Sequence, residues 1–384
     1  MSLDVVRKWV DRPLGMQDLF PQQAKFRRKV ESKLLAEFED HGFEMVSCGA
    51  FEYVDTLLRG RAAAEAEAWV RVFDTLGRTV ALRPEMTPSI ARMAAPLLSS
   101  SNREIRWCYA ERVYHRTDDP ASLSWVSGRA AESTQVGVEW IGPSGSEIDA
   151  RLLLMCQSGL SRLGLKDWQM VVSHAAFAPA FLAATGIASA VVDDLMSTLA
   201  RGDYVGFRRI VDDEDSVDLP SGEALLAMLS KLNPLSGASL SELVDIEWRN
   251  PSLGTQVENY WKGLVQFAEE LKRMNLTHRL TFDLTLTRDI SYYSGIVFEV
   301  FANGVGAPVA LGGRYDGLLA SFGAPAPAVG FTYEVERMMA ALSEVEWTSE
   351  HQASSVDSQP VSPVRGSEHQ APITDSQPEV DKEC

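Results

Sequence analysis

The sequence is short of basic residues, of cysteine and of any long apolar run, and each shortage narrows what the protein does. Its 384 residues carry 36 Lys and Arg against 53 Asp and Glu, a net charge of −17. An acidic chain repels a phosphate backbone, which argues against broad electrostatic binding to nucleic acid. No apolar stretch reaches the roughly 18–20 residues of a membrane span, and Met1–Arg12 holds charges but no apolar run of a secretory signal. The four cysteines, Cys48, Cys108, Cys156 and Cys384, have neither CxxC nor metal-ligand spacing, so they read as reduced thiols of a cytoplasmic protein. Signatures of the familiar nucleotide and hydrolase sites are missing as well: no GxGxxG after a strand, no GxxxxGK[ST], no GxSxG and no HExxH.

What is present divides into a long body and a short acidic tail. From Ser343 to Cys384 the chain has nine acidic and two basic residues, is rich in Ser, Gln, Pro and Glu, and holds one aromatic, Trp347. Ser349–Ala353 with Asp357–Pro360 recurs as Ser367–Ala371 with Asp375–Pro378, a period of 18 residues. Such a composition buries too little apolar surface to offset its ordering entropy, so residues 343–384 are expected to be a disordered repeat tail. His351 and His369 are copies within that repeat, not metal ligands.

The body, residues 1–342, mixes helices and strands. Pro21 opens a helical spacing of Phe26, Val30, Leu34, Leu35 and Phe38 that stops at Gly42, with proline inside the start and glycine past the end. Phe43–Ser47 reads as a strand, Trp69–Phe73 and Thr79–Leu82 as a hairpin turning at Gly77, and Thr87-Pro88 as the start of a helix through Ala95. Arg106–His115, Ser133–Ile141, Leu280–Leu284, Gly295–Phe301 and Pro308–Leu311 are further strands, and Ala190–Leu199, Ala224–Leu229 and Val257–Met274 are helices. Hairpin-like pairs outnumber βαβ alternation. The expected class is therefore α+β: an antiparallel sheet flanked by helices, interrupted by a mostly helical insertion near residues 175–276.

The chemistry lies in four segments. Leu82-Arg83-Pro84-Glu85-Met86-Thr87, Gln135-Val136-Gly137-Val138-Glu139, Ser291-Tyr292-Tyr293-Ser294-Gly295 with Phe298-Glu299, and Gly312-Gly313-Arg314-Tyr315-Asp316 occur in that order. Together they resemble the histidyl-tRNA synthetases, a class II family with a dimeric, helix-flanked antiparallel sheet, over nearly all of residues 10–342. The resemblance implies a pocket for free histidine. Glu85, Thr87 and Gln135 match positions that hold the α-amino end. Glu139, Tyr292 and Tyr293 match those that frame the imidazole, and Arg288 matches the arginine that faces the carboxylate. Each residue also has a plainer reading: Thr87 as a helix cap, the tyrosines as core packing. Glu139 resists one, since a buried carboxylate needs a partner.

The nucleotide side departs from that family. Adenylation calls for a guanidinium beside the α-phosphate. The family supplies it from a Phe-Arg-His-Glu strand, where this chain reads Val113-Tyr114-His115-Arg116. Ser133 stands for the phenylalanine behind adenine, Ala131 for a second arginine, and Gly49 for a proline of the first motif. Glu334 replaces a glycine that lets the nucleotide approach. Arg112 and Arg116 share a strand face with Tyr114, so a register shift is the one route by which an arginine replaces it. Only 47 residues follow Arg337, where the family carries an anticodon-binding domain of about a hundred residues, so no contact with tRNA is expected.

This combination resembles the regulatory subunits of ATP phosphoribosyltransferase. The resemblance implies a subunit with no active site and no cofactor of its own. It would self-associate as a dimer and join a short-form catalytic subunit in a hetero-octamer. There it would support the first step of histidine biosynthesis and confer feedback inhibition by L-histidine. Two other readings stay open: a truncated synthetase-like enzyme that still adenylates histidine, and a free-standing histidine sensor.

Overall fold

The computed structural model describes residues 12–342 except 14, 62, 101–103, 117–129, 214–218, 245–247 and 288–290. The repeat tail and Arg288 lie outside the described residues. The first half of the chain forms α1 (Pro21–Asp40), β1 (Glu44–Met45), β2 (Phe51–Tyr53), α2 (Val54–Leu57), β3 (Arg71–Phe73), β4 (Thr79–Leu82), α3 (Thr87–Ser100), β5 (Ile105–Tyr114), β6 (Glu132–Ile141), α4 (Ser146–Leu163) and β7 (Trp168–His174). Helices α5 (Phe177–Ala184), α6 (Ser189–Ala200), α7 (Tyr204–Asp212), α8 (Gly222–Lys231), α9 (Leu240–Leu243) and α10 (Pro251–Arg273) follow. The chain then returns through β8 (Leu280–Phe282), β9 (Ile296–Ala302), β10 (Ala310–Arg314), α11 (Leu318–Ser321), β11 (Ala328–Glu334) and α12 (Val335–Ala341).

Eight strands form one sheet in the order β1-β5-β6-β11-β10-β9-β7-β8. The six inner strands are antiparallel throughout, but each end strand is parallel to its neighbour, β1 to β5 and β8 to β7. The expected antiparallel sheet flanked by helices is present, and the two parallel end strands make it mixed. A parallel pair needs a long crossover, and the helices Phe177–Arg273 supply it between β7 and β8. The first strand is also shorter than Phe43–Ser47, with only Glu44 and Met45 pairing to β5. The hairpin at Gly77 forms as expected. It carries β2 on its other side to make a separate three-stranded sheet, β2-β4-β3, whose Phe51, Tyr53 and Val72 are exposed.

Period-two alternation sorts the side chains of β6 and β11 between two layers. Val136, Val138 and Trp140, with Val329, Phe331 and Tyr333, face the main core. There Phe38 of α1 meets Phe331 edge-on at 5.7 Å and stacks on Tyr333 at 6.1 Å. The Tyr333 hydroxyl donates to the Cys156 carbonyl of α4 at 2.6 Å. Phe177, Phe181, Trp261 and Phe267 of the helices between β7 and β8 belong to this same core. On the opposite face Tyr109, Val113 and Ile141 join Met86, the α3 residues Ile90, Ala91 and Ala94, and Tyr292, Tyr315 and Leu318 in a second cluster. Glu139 and the tyrosines expected to frame a histidine lie on that face. No helix among the described residues is long and apolar enough to cross a membrane.

Candidate functional site

Arg83 fixes the segment that delivers the first two pocket residues. It is 2% exposed, and its guanidinium donates to the carbonyls of Arg112, Cys48 and Gly49 at 2.9, 2.6 and 2.8 Å and to Glu111 at 2.7 Å. With β4, β5 and the loop after β1 tied together in this way, Glu85 and Thr87 sit at the start of α3, against the polar face of β6. The helix runs beyond Ala95 to Ser100, through Pro96.

Glu139 is the centre of the site. It is 1% exposed, and both carboxylate oxygens are engaged: Oε1 accepts the Thr87 hydroxyl at 2.6 Å and Oε2 accepts the Tyr315 hydroxyl. Burial drives its carboxyl from an ordinary 4.5 up to about 7, against the opposing pull of those two donors. Burial likewise holds the Tyr315 and Tyr292 phenols well above their usual range, so both remain donors. The Tyr292 hydroxyl donates a hydrogen bond to Glu85 at 2.8 Å. The rings of Tyr292, Tyr293 and Tyr315 form a cage, with centroids 5.1, 5.6 and 6.5 Å apart. The cage fits because Gly313 has no side chain; a Cβ there would lie 2.9 Å from the Tyr293 ring. Tyr315 is held from behind: Arg314 pairs with Asp149 at 2.7 Å and Asp316 at 2.9 Å, and Asp316 takes the Ala328 N–H at 3.1 Å.

Five of the seven expected residues therefore meet in one place: Glu85, Thr87, Glu139, Tyr292 and Tyr293. Gln135 lies on the same strand face as Glu139, but its amide is committed elsewhere, donating to Glu334 at 2.9 Å in a buried pair. Two pocket residues were not anticipated. Tyr315 stands inside a motif quoted for resemblance alone, and its place directly after a buried Gly-Gly-Arg was the available signal. Arg61 lies in no motif, and its contact with Glu85 links segments with no sequence pattern in common.

The residues expected on the nucleotide side are engaged in contacts within the chain. Glu334 is 5% exposed; instead of standing as a free obstruction it anchors Gln135. Glu336 accepts from the backbone and hydroxyl of Thr134 at 2.7 and 2.8 Å, and Arg337 donates to the Pro308 carbonyl. The pairing of β5 with β6 is unbroken from Ile105–Ile141 to Tyr114–Glu132, and Arg112 is paired with Glu132, so no slip brings an arginine to the place of Tyr114. Among the described residues there is no cluster of His, Cys, Asp and Glu able to hold a metal ion.

Comparison with known proteins shows the family. Residues 15–338 match the family model for histidyl-tRNA synthetase. The chain is 35% identical over 334 residues to the ATP phosphoribosyltransferase regulatory subunit of Moorella thermoacetica, covering 86% of this chain and 82% of that one. Among crystal structures, it resembles a histidine–tRNA ligase subunit from Alicyclobacillus acidocaldarius at 44% identity and a TM-score of 0.77, covering 88% of this chain and 98% of the other. An ATP phosphoribosyltransferase regulatory subunit/histidyl-tRNA synthetase from Bacillus halodurans follows at 25% identity and a TM-score of 0.72, with 90% and 91% covered. The chain belongs to the histidyl-tRNA synthetase-like family of ATP phosphoribosyltransferase regulatory subunits.

Proposed function

We propose that this chain is a non-catalytic regulatory subunit of ATP phosphoribosyltransferase, acting in the first step of histidine biosynthesis in the cytoplasm, with L-histidine as its effector. One contrast carries the reading. The residues expected for the amino-acid side gather around Glu139, while on the nucleotide side Tyr114 stands in the arginine's place and Glu334, in place of a glycine, is committed to a buried pair with Gln135. A site that keeps the amino-acid residues but lacks the adenylating arginine suits sensing and not activation. Zwitterionic histidine would place its ammonium toward Glu85 and its imidazole among Glu139 and the three tyrosines, with Arg288 toward the carboxylate. For histidine to inhibit, it must bind one state of the assembly better than the other.

The partner in this reading is a short-form catalytic subunit that joins ATP to phosphoribosyl pyrophosphate, and this chain pairs with itself inside a hetero-octamer. The exposed apolar face of the three-stranded sheet offers a surface for self-association. The test is reconstitution. Phosphoribosyl-ATP formation by the catalytic subunit should rise on adding this chain and fall again on titrating histidine. A catalytic subunit indifferent to this chain would reject the proposal.

A further inference from the structure

The carboxylate assigned to the ligand's ammonium already holds a cation from the chain. Arg61 lies two residues before the 3-10 helix Ala63–Ala68, and its side chain is 5% exposed. One end of its guanidinium pairs with Glu65 at 2.6 Å and the other with Glu85. Glu65 in turn accepts the Ser291 hydroxyl at 2.6 Å, next to the tyrosine pair. The guanidinium carbon lies 5.2 Å from the centre of the Tyr292 ring and 5.9 Å from that of Trp69. Its Nε, buried as well, has no acceptor.

A guanidinium withdrawn this far from water is tolerated because two carboxylates neutralise it. Glu85, with 14% of its side chain exposed, is held on the same terms, with Arg61 on one oxygen and the Tyr292 hydroxyl on the other. Removing its cation without replacement would leave an unpaired buried anion, which is costly. A ligand therefore reaches Glu85 at low cost only if it brings a positive charge of its own.

We propose that Arg61 is a specificity-determining residue: a tethered competitor for Glu85 that a ligand must displace with its own ammonium. The inference rests on the histidine-pocket reading and adds to it the basis of selection. A zwitterionic amino acid exchanges one cation for another at Glu85. The des-amino analogue imidazolepropionate offers nothing in exchange and is refused. Because like replaces like, the gain at Glu85 is smaller than a vacant carboxylate would give, so the affinity for histidine is held below what the pocket could reach.

The test is calorimetric titration of the full-length chain with L-histidine, histidinol and imidazolepropionate, using the wild type, Arg61→Gln, Arg61→Lys and Glu139→Gln. Arg61→Gln should tighten histidine and histidinol by about ten-fold, the scale of one charge-assisted hydrogen bond, and should not tighten imidazolepropionate. Arg61→Lys keeps a competing cation and should bind like the wild type. Should Arg61→Gln fold poorly, hydrogen exchange on the wild type decides: bound histidine releases the Arg61–Glu85 contact, so amides 63–68 should exchange faster. Unchanged or weaker histidine binding by Arg61→Gln, or slower or unchanged exchange at 63–68, would overturn the competitor role while a weakened Glu139→Gln keeps the pocket. If Glu139→Gln binds histidine as the wild type does, the pocket reading fails and the competitor role fails with it.

Discussion

Gly330 and Glu139 face each other across β11 and β6, and the Glu139 carboxylate fills the space that a side chain on the glycine would take. A Cβ at residue 330 would lie 2.6 Å from the Val138 carbonyl oxygen and 2.8 Å from the Glu139 carboxyl carbon. A central ladder thus admits a charged group because the residue opposite it has no side chain.

Gly330→Ala should therefore damage fold and pocket together. The clash is with backbone as well as side chain, so relief requires the strands to move, at a cost of about 1–3 kcal/mol. Urea denaturation should report that loss, and calorimetry should show histidine affinity weakened at least as much as by Glu139→Gln.

Glu139 predicts a pH dependence with a definite sign. Its folded carboxyl is raised from 4.5 to about 7, so the folded state holds the proton more tightly than the unfolded one. The associated stability is fully present below pH 4.5 and is lost as pH rises through about 7, on the order of 3 kcal/mol. Glu139→Gln removes this contribution. The difference in unfolding free energy between variant and wild type, measured from pH 4 to 8, should grow in the variant's favour across that window and level off above it.

At fixed pH, Glu139→Gln should weaken histidine binding by about ten-fold or more, the scale of losing a bond to a charged group. Tyr293→Phe should do less. Tyr315→Phe, which removes a donor from the buried carboxylate, should exceed Tyr293→Phe. Calorimetric titration ranks the three.

Arg314→Met would leave Asp149 buried without its cation, since the pair is 8% and 9% exposed. Breaking such a pair from one side costs about 3–5 kcal/mol. Pairing Arg314→Met with Asp149→Leu should recover part of the loss, which thermal melts of the double-mutant cycle will reveal.

No histidine-dependent ATP–pyrophosphate exchange is expected, and Glu334→Gly should not install it. A single well-placed donor is worth about 10²–10³ in rate, and here the arginine position is Tyr114 while Gln135 would lose its anchor. Exchange within about tenfold of an ordinary synthetase would contradict the regulatory reading.

The parts legible in the sequence were those with local causes. Helix α1 begins at Pro21, ends before Gly42 at φ +78°, and buries Val30, Leu34 and Phe38 as their spacing requires. Strand β11 was not among the expected strands, because all seven of its residues are buried and a strand covered on both faces shows no alternation. The need of Glu139 for partners was legible; their identity was not. Thr87 was expected at the ligand's α-amino end or as a helix cap, and Glu334 as an obstruction, yet the first donates to Glu139 and the second accepts from Gln135. In each case a tertiary contact gave the polar group a use that its immediate neighbours do not signal.

The distances along the chain between pocket partners carry a last consequence, for folding. Thr87 meets Glu139 across 52 residues, Tyr315 meets it across 176, and Tyr292 meets Glu85 across 207. Contacts of such separation form only after much loop entropy has been spent, so no fragment and no half-folded state possesses the pocket. Histidine bound there would stabilise only the finished molecule, by mass action. The end product of the pathway would then also lengthen the life of its own sensor, protecting it from unfolding and proteolysis when histidine is plentiful.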